Sequence, residues 1–453
     1  MKGKLQPSTS AGAMPDAKHA RKVARVSEQL RRRNSTAPLS RLKRVVSHQV
    51  PKVHDKKHTD EKVDLLDFDE IIEIDPDRRI CIAEPGVPFC ELVDRTLPLG
   101  LVPIVVPELK TITIGGAVAG CSIESMSYIY GGFHDTCLEY EIITAKGDVL
   151  TCTPENEHSL IFQMMHGSFG TVGILSRLVF RLIPAKPFVH LRHETHTSID
   201  SYTASIRSHF ESRDVDFMDG IIHSPSHLVL CVGDFTDSAP YTNRYDWLKV
   251  YHRSTAERRE DYLKTPHYFY RYDQGVTNVH PKSFIGRLLL GKFLGSSQIL
   301  RIGEKLRWLL LSDDRPDVTV DTFLPFSRLK EFLEWYARDF GHFPLWVVPY
   351  ARVHDYEWLT DSFWSKLSDT LMIDIAIYGM KQRGETNYYR LMEEKLQELG
   401  GIKTLISYNY YKEDEFWQIF NRKNYDAVKA ITDPDNVFRN LYEKTCRAAM
   451  GLE

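Results

Sequence analysis

Apolar and polar positions change period several times along the chain, and each change predicts an element. From Asp16 to Asn34, "DAKHARKVARVSEQLRRRN", Val23, Val26 and Leu30 recur at helical spacing in a charged run, which predicts an amphipathic helix with a solvated basic face. "EIIEI" and "RICIAEPG" flank Asp75-Pro76-Asp77 and read as a hairpin. "PFCELVDRTLPLG" has helical period, with Pro88 in its first turn and Gly100 as its stop. A second hairpin is predicted in "CLEYEIITAKGDVLTCT" around Lys146-Gly147-Asp148. "PENEHSLIFQMMHG" then predicts a helix begun by Pro154 and ended near Gly167, and "GILSRLVFRLIPAKP" a long strand. Strand, turn, strand and helix in this order predict an α+β domain, not a regular βαβ repeat. Beyond Pro187 the pattern turns aromatic and charged, as in "TPHYFYRYDQG" and "HFPLWVVPYARVHDYEW", and predicts a second α+β domain with a helical tail from Lys423. Residues 1–15 lack periodicity and are expected to be disordered, leaving 16–186 and 187–453 as the two domains.

One stretch fits none of these periods. "TIGGAVAGCSIES", Thr113 to Ser125, and the following Gly131-Gly132 leave much backbone bare. They form tight turns between strands, or they admit a ligand close to the main chain, with Ser122, Glu124, Ser125 and backbone N–H groups making a nest for phosphate. Gly167, Gly170 and Gly173 repeat three apart between a predicted helix and a strand, the reverse of the strand–glycine–helix order of a Rossmann fingerprint. Walker, H-E-x-x-H and G-x-S-x-G patterns do not occur.

Composition narrows the picture without redirecting it. The 453 residues are 42% hydrophobic and 26% charged, ordinary for a globular protein, and no apolar run reaches the length of about 20 residues that a spanning helix needs. Seven scattered cysteines without a C-x-x-C pair argue against a disulfide framework and a zinc site, so no metal is expected. Residues 1–44 hold twelve Lys and Arg against Asp16 and Glu28. A solvated helix accounts for that basic start, and no nucleic-acid partner is expected. "SFIGRLLLGKFLGSSQILRIGEKLRWLLL", residues 283–311, reads either as a membrane-surface segment or as two core helices with basic outer faces. The expected location is cytoplasmic, with peripheral membrane contact through 283–311 as the alternative.

The ordered segments "DFDEIIEIDPDRRICIAEPGV", "LGLVPIVVPELKTITIGGAVAGCSIES", "YGGFHDTCLEYEIITAKGD" and "HGSFGTVGILSRLVFRLIPAK" resemble the two-lobed FAD-binding domain of the p-cresol methylhydroxylase and vanillyl-alcohol oxidase type, over roughly Val45 to Lys186. "PHYFYRYD", "HFPLWVVPY", "LMIDIAIYG" and "EDEFWQIF" extend the likeness beyond the flavin domain, towards the Δ24-sterol reductases. The resemblance implies that Thr113, Ile114, Gly115, Gly116, Ala117, Gly120, Cys121, Ser122, Ile123, Glu124 and Ser125 line the FAD pyrophosphate and ribityl chain. Gly170, Gly173 and Ile174 would meet another part of the flavin, and Pro107 and Glu108 would border the groove. Ser47 and His48 stand where relatives carry a glycine-flanked histidine; without those glycines, non-covalent FAD and a shortened first lobe are expected. The resemblance departs at the N-terminus, where the hydrophobic anchor of the animal sterol reductases is not expected in this protein.

The same resemblance implies reduction of a carbon–carbon double bond in an apolar lipid, a sterol side chain first, with NADPH docking transiently to supply the hydride. A methylene-branched phospholipid acyl chain is the alternative substrate. An alcohol or sugar-acid oxidase and a non-enzymatic flavin protein are the alternative functions. Tyr and Trp faces suit a cationic transition state, and a proton donor is sought among His267, Tyr268, Tyr270 and Tyr378, with Asp374 and Glu124 behind them. Ordinary buried hydrogen bonding is the competing reading of each. The oligomeric state is not legible.

Overall fold

The computed structural model describes residues 17–44, 59–246, 249–273 and 317–452. The expectations for residues 1–15, for Ser47-His48 and for 283–311 lie outside the described residues.

Two sheets organise the chain. In the first, β3 (Ile71–Asp75), β4 (Ile80–Ala83), β8 (Ile174–Pro184), β6 (Cys137–Ile143) and β7 (Val149–Cys152) lie in the order β3-β4-β8-β6-β7, and β5 (Leu101–Pro103) pairs with β8. Both predicted hairpins, β3–β4 and β6–β7, are antiparallel pairs in this sheet. Ahead of it, β1 (Leu39–Leu42) and β2 (Glu61–Asp64) form a parallel pair. The helix Phe89–Thr96 follows Pro88 at its N-cap and ends through a short 3₁₀ turn at Gly100, whose φ of 72° suits a residue without a side chain.

The predicted helix from Pro154 is shorter, Ser159–Met164. Local polar side chains hold the preceding residues in turns: Asn156 Oδ1 accepts from Thr153 N at 3.1 Å, and Thr153 Oγ1 accepts from Asn156 N at 3.2 Å.

The second sheet is antiparallel throughout and follows β8 directly. Its order is β12-β9-β11-β10-β14-β15-β13-β16, from β9 (Phe188–His196), β10 (Phe217–Ser224), β11 (His227–Thr236), β12 (Glu260–Lys264), β13 (Val318–Pro325), β14 (Leu345–Ala351), β15 (Leu371–Met380) and β16 (Ile402–Lys403). Alternation along each strand gives the sheet two faces. Met218, Val320, Val347, Ile373, Ile375 and Ile377 pack one face against helices Ile199–Ser212, Leu329–Asp339 and Tyr388–Leu399. Phe217, Trp346, Val348 and Ala376 on the other face join the core of the first sheet. The boundary between the two sheets is therefore a packed surface, and the residues between those apolar ones look into it.

The N-terminal helix Ala17–Arg31 buries Val23, Val26 and Leu30 as its spacing predicts. Its polar face, however, is only partly solvated, because His19 and Lys22 are buried as well. His19 meets Glu84 and Glu141, each at 2.9 Å, and the Lys22 amine lies 2.8 Å from Glu84. Those pairs fasten the helix across β4 and β6. The C-terminal segment returns to the first domain: Ala145 N donates to Thr432 O at 2.8 Å, and Arg439 pairs with Asp60 at 2.7 Å.

Among the described residues no helix is long and apolar enough to cross a membrane, no cluster of three or more acidic, histidine or cysteine side chains could hold a metal, and all seven cysteines are free thiols.

Candidate active site between the two domains

The glycine segment is a helix rather than a run of turns. Thr113 caps Ile114–Gly120 by accepting from Gly116 N at 3.3 Å, and Cys121 ends it in the left-handed region at φ 54°. Ile114, Ala117 and Val118 face the core, while Gly116, Gly120, Cys121, Ser122 and Ile123 keep an accessible side.

Its glycines serve different ends. A Cβ on Gly115 would stand 2.5 Å from Pro85 Cβ, so that glycine admits a neighbouring loop of the protein itself. A Cβ on Gly120 would meet nothing within 4 Å. Gly120 therefore opens onto free space beside Ser122 and Ile123, the place where this helix has room for a ligand.

Gly167, Gly170 and Gly173 adjoin that helix directly. Gly167 N donates to Val118 O at 3.3 Å and Phe169 N to Ala119 O at 3.0 Å, with φ of 64°, 73° and 143° at the three glycines. Cations take the carbonyls of this loop: Lys444 at Phe169 O (2.7 Å), Lys429 at Thr171 O (3.2 Å) and Arg41 at Gly173 O. The Arg41 guanidinium lies where a side chain on Gly170 would be, and burial brings its pKa down to about 10. Gly173 and Ile174 are buried, Ile174 in the small core beneath the N-terminal helix.

Ser125 and Glu124 connect this segment to the second domain. Tyr268 donates to Ser125 Oγ at 2.8 Å, and Arg271, completely buried, lies 3.1 Å from both Glu124 and Asp219 of β10. Trp346 Nε1 donates to Asp219 at 2.9 Å. The guanidinium also rests on the Tyr268 ring at 4.1 Å and the Tyr272 ring at 4.6 Å. Burial raises the Glu124 pKa, against the pull of Arg271. Sequence reasoning placed Tyr268 and Glu124 near the flavin but missed Arg271 and Asp219. A charged residue inside the aromatic run "HYFYRYD" was the available signal.

The four tyrosine and histidine candidates separate. Tyr268 belongs to the cluster just described, and burial pushes its hydroxyl well above 10. Tyr270 is buried near Cys90 and Asp94. His267, partly exposed, is held below its ordinary value by burial and then by Arg244. Tyr378 lies on the inward face of β15 and donates to Asp321 Oδ1 of β13 at 3.1 Å. Asp374, buried on β15, accepts from Thr322 N at 2.9 Å.

Beside them an aromatic group, Phe323, Tyr350, Tyr356, Trp358, Phe363 and Trp364, packs with Ile123 of the glycine segment. Phe323, Trp358, Phe363, Trp364 and Ile123 stay partly accessible although much of the surrounding sheet is buried. Apolar aromatic walls, inward carboxyls and an open glycine helix thus meet at one boundary.

Comparison with known proteins agrees with this geometry. An FAD binding domain family matches residues 51–153, which include β2 to β7 and the glycine helix. The Delta(24)-sterol reductase of Homo sapiens is 28% identical over 422 residues, 87% of this chain and 79% of the relative. That of Arabidopsis thaliana is 26% identical over 85% of this chain and 76% of the relative. Cytokinin dehydrogenase 3 of Arabidopsis thaliana is 28% identical over 141 residues, 30% of this chain. With an FAD-binding domain matched around the open glycine helix and likeness to sterol reductases continuing through the second sheet, the chain is an FAD-dependent oxidoreductase that carries a p-cresol methylhydroxylase-type FAD-binding domain.

Proposed function

We propose that this protein reduces a carbon–carbon double bond in the side chain of a sterol-type lipid, using FAD and taking its reducing equivalents from NADPH. The observation that carries the reading is the inward face of the second sheet, where Asp321, Asp374 and Tyr378 share a sheet face with an aromatic cluster that packs with Ile123. An apolar alkene needs apolar walls, and a proton donor must stand near it. Sterol reductases similar to this chain over most of its length support the same substrate class.

FAD would lie along Thr113 to Ser125, with Gly120 making the close approach and Ser122 offering a hydroxyl. Pro107 and Glu108 would edge it. The bound flavin supplies hydride transfer in both directions. The protein's own residues do the rest: the aromatic rings exclude water and face the positive charge that grows on the more substituted carbon, while the inward polar groups hold the proton. Of the four donor candidates read from the sequence, Tyr378 has the geometry best suited to that face.

The test is a sequence of two half-reactions with purified holoenzyme under anaerobic conditions. NADPH should bleach the flavin, and a sterol with an unsaturated side chain should restore the colour and gain two hydrogens by mass. Failure of NADPH to bleach the flavin favours a non-enzymatic flavin protein. Bleaching followed by gain of hydrogen only in phospholipids with a branched methylene moves the substrate to that lipid class.

A further inference from the structure

The second glycine pair of the sequence, Gly131-Gly132, has a task of its own. A Cβ on Gly131 would run into the Asp135 carboxylate, and one on Gly132 into the His134 ring. The two glycines therefore let the 3₁₀ turn Phe133–Thr136 fold both polar side chains back against the main chain. That turn is tied to the end of the glycine helix, because Phe133 N donates to Ser122 O at 2.9 Å. Asp135 is well supplied with donors: it accepts from Gly132 N at 2.7 Å and from the Tyr356 hydroxyl at 2.9 Å, and His354 Nε2 lies 3.2 Å away.

His134 lacks such partners. It is only 1% exposed, yet neither ring nitrogen makes a hydrogen bond among the described residues, although Nε2 comes within 3.4 Å of Asp135. His166, also 1% exposed, lies beside it with ring centroids 4.9 Å apart. The Tyr140 hydroxyl pairs with His166 Nε2 at 3.0 Å, and Nδ1 is left without a partner. Three unpartnered ring nitrogens thus share one enclosed place, and it adjoins both parts of the site. A Cβ on Gly167, next to His166, would lie 3.5 Å from Cys121 Sγ at the end of the glycine helix, and the His134 ring is 5.5 Å from that of Tyr356 in the aromatic cluster.

Chemistry restricts what can fill that place. Burial, against the pull of Asp135, holds His134 below the ordinary histidine value, and burial with the His134 ring pushes His166 well below it. Both rings are neutral at pH 7, so each carries one N–H and one bare nitrogen. An anion would find no imidazolium and would face the Asp135 carboxylate. An apolar group would leave the buried nitrogens orphaned, which is costly, and no metal cluster forms among the described residues. We propose that His134 and His166 form a recognition site for a neutral amide edge, an N–H beside a C=O. Two molecules of the reaction carry such an edge: the imide of the flavin ring and the carboxamide of the nicotinamide. The inference rests on the FAD and NADPH reading above.

Two variants of the holoenzyme separate recognition from packing. His134→Leu removes both nitrogens, whereas His134→Gln puts an N–H and an acceptor oxygen back on one side chain. If the imide is the ligand, FAD should leave diluted His134→Leu about tenfold faster, read by recovery of flavin fluorescence, with His134→Gln closer to wild type. If the carboxamide is the ligand, flavin release should be unchanged and the NADPH concentration for half-maximal bleaching should rise about tenfold. The wild type should then prefer NADPH to its reduced acetylpyridine analogue, which lacks the amide N–H, and His134→Leu should lose that preference.

Nitrogen NMR of histidine-labelled wild-type holoenzyme supplies a readout independent of turnover. The ring signal that is missing from His134→Gln should move when dithionite reduces the flavin, or when NADP⁺ is added. Flavin release and NADPH half-saturation both unchanged in His134→Leu overturn the proposal, and so do equal defects in His134→Leu and His134→Gln. A His134 signal that neither reduction nor NADP⁺ moves overturns it too, and leaves the rings to packing or a trapped water. Wild-type flavin that NADPH does not bleach overturns the functional reading alone, because flavin release still decides the inference.

Discussion

Replacing Arg271 by methionine removes a guanidinium that joins the glycine segment to the second sheet, while keeping most of its apolar stem. The side chain is completely buried, and it is 3.1 Å from Glu124 on one domain and 3.1 Å from Asp219 on the other. Both carboxylates are buried too, so the substitution leaves two acids facing each other without a counter-charge. Breaking a buried pair in this way costs about 3–5 kcal/mol. At about 2–4 °C per kcal/mol for a domain of this size, the melting temperature should drop by about 6–20 °C. The deficit should also depend on pH. Burial already raises the folded-state pKa of Glu124, and losing Arg271 raises it further, so the variant is penalised increasingly as pH climbs past the unfolded value of about 4. Differential scanning fluorimetry of holoenzyme across pH 4–8 reads both effects (about four pH units around the carboxylate range). Adding Asp219→Asn to Arg271→Met should recover part of the loss. A single variant that melts within about 2 °C of the wild type, less than 1 kcal/mol, would refute the idea that this cation holds the boundary.

The remaining expectations concern the glycine helix, the N-terminal helix and the chamber. Gly115→Ala should destabilise by about 1–3 kcal/mol through overpacking, since its Cβ would stand 2.5 Å from Pro85, whereas Gly120→Ala should fold normally and lose bound flavin, measured by the ratio of flavin to protein absorbance. Equal flavin content in Gly120→Ala and wild type would place the cofactor elsewhere. Burial opposes charge on His19, but its bonds to Glu141 and Glu84 win and raise its pKa to about 9. Its contribution to stability is complete below the unfolded value of about 6.5 and fades as pH rises through about 9, so proteolysis of the N-terminal helix should accelerate across that window in the wild type, and His19→Gln should flatten the dependence. Parallel profiles for the two proteins would show that the histidine does not fasten the helix. Trp358→Ala should raise the sterol KM and leave flavin bleaching by NADPH unchanged; an unaltered KM would exclude that ring from the chamber.

Local order carried much of the fold. The two hairpins, the Pro88-to-Gly100 helix and the long strand from Ile174 were legible because each is decided by residues a few positions apart: an alternating pair around a turn, a proline and glycine at the ends, a branched apolar run. The helix Ser159–Met164 came out short where Thr153 and Asn156 side chains captured backbone groups, a competition that periodicity does not register. The basic N-terminal run read as solvated because its charges looked unpartnered. Its partners Glu84 and Glu141 lie far along the chain and are delivered only by the sheet.

The site divides in the same way. The sequence by itself determined that glycines crowd Thr113 to Gly132, that their order is not Rossmann-like, and that aromatic residues fill the second half. These are properties of composition and short-range spacing. Only the tertiary structure decided that Gly115 admits Pro85 while Gly120 opens outward, that Arg271 is enclosed between carboxylates of the glycine segment and the second sheet, and that Asp321 and Asp374 share one sheet face. Those outcomes depend on strand register and on which face of an antiparallel sheet turns inward. A shift of one residue would send Asp321 and Asp374 to the helix-covered side.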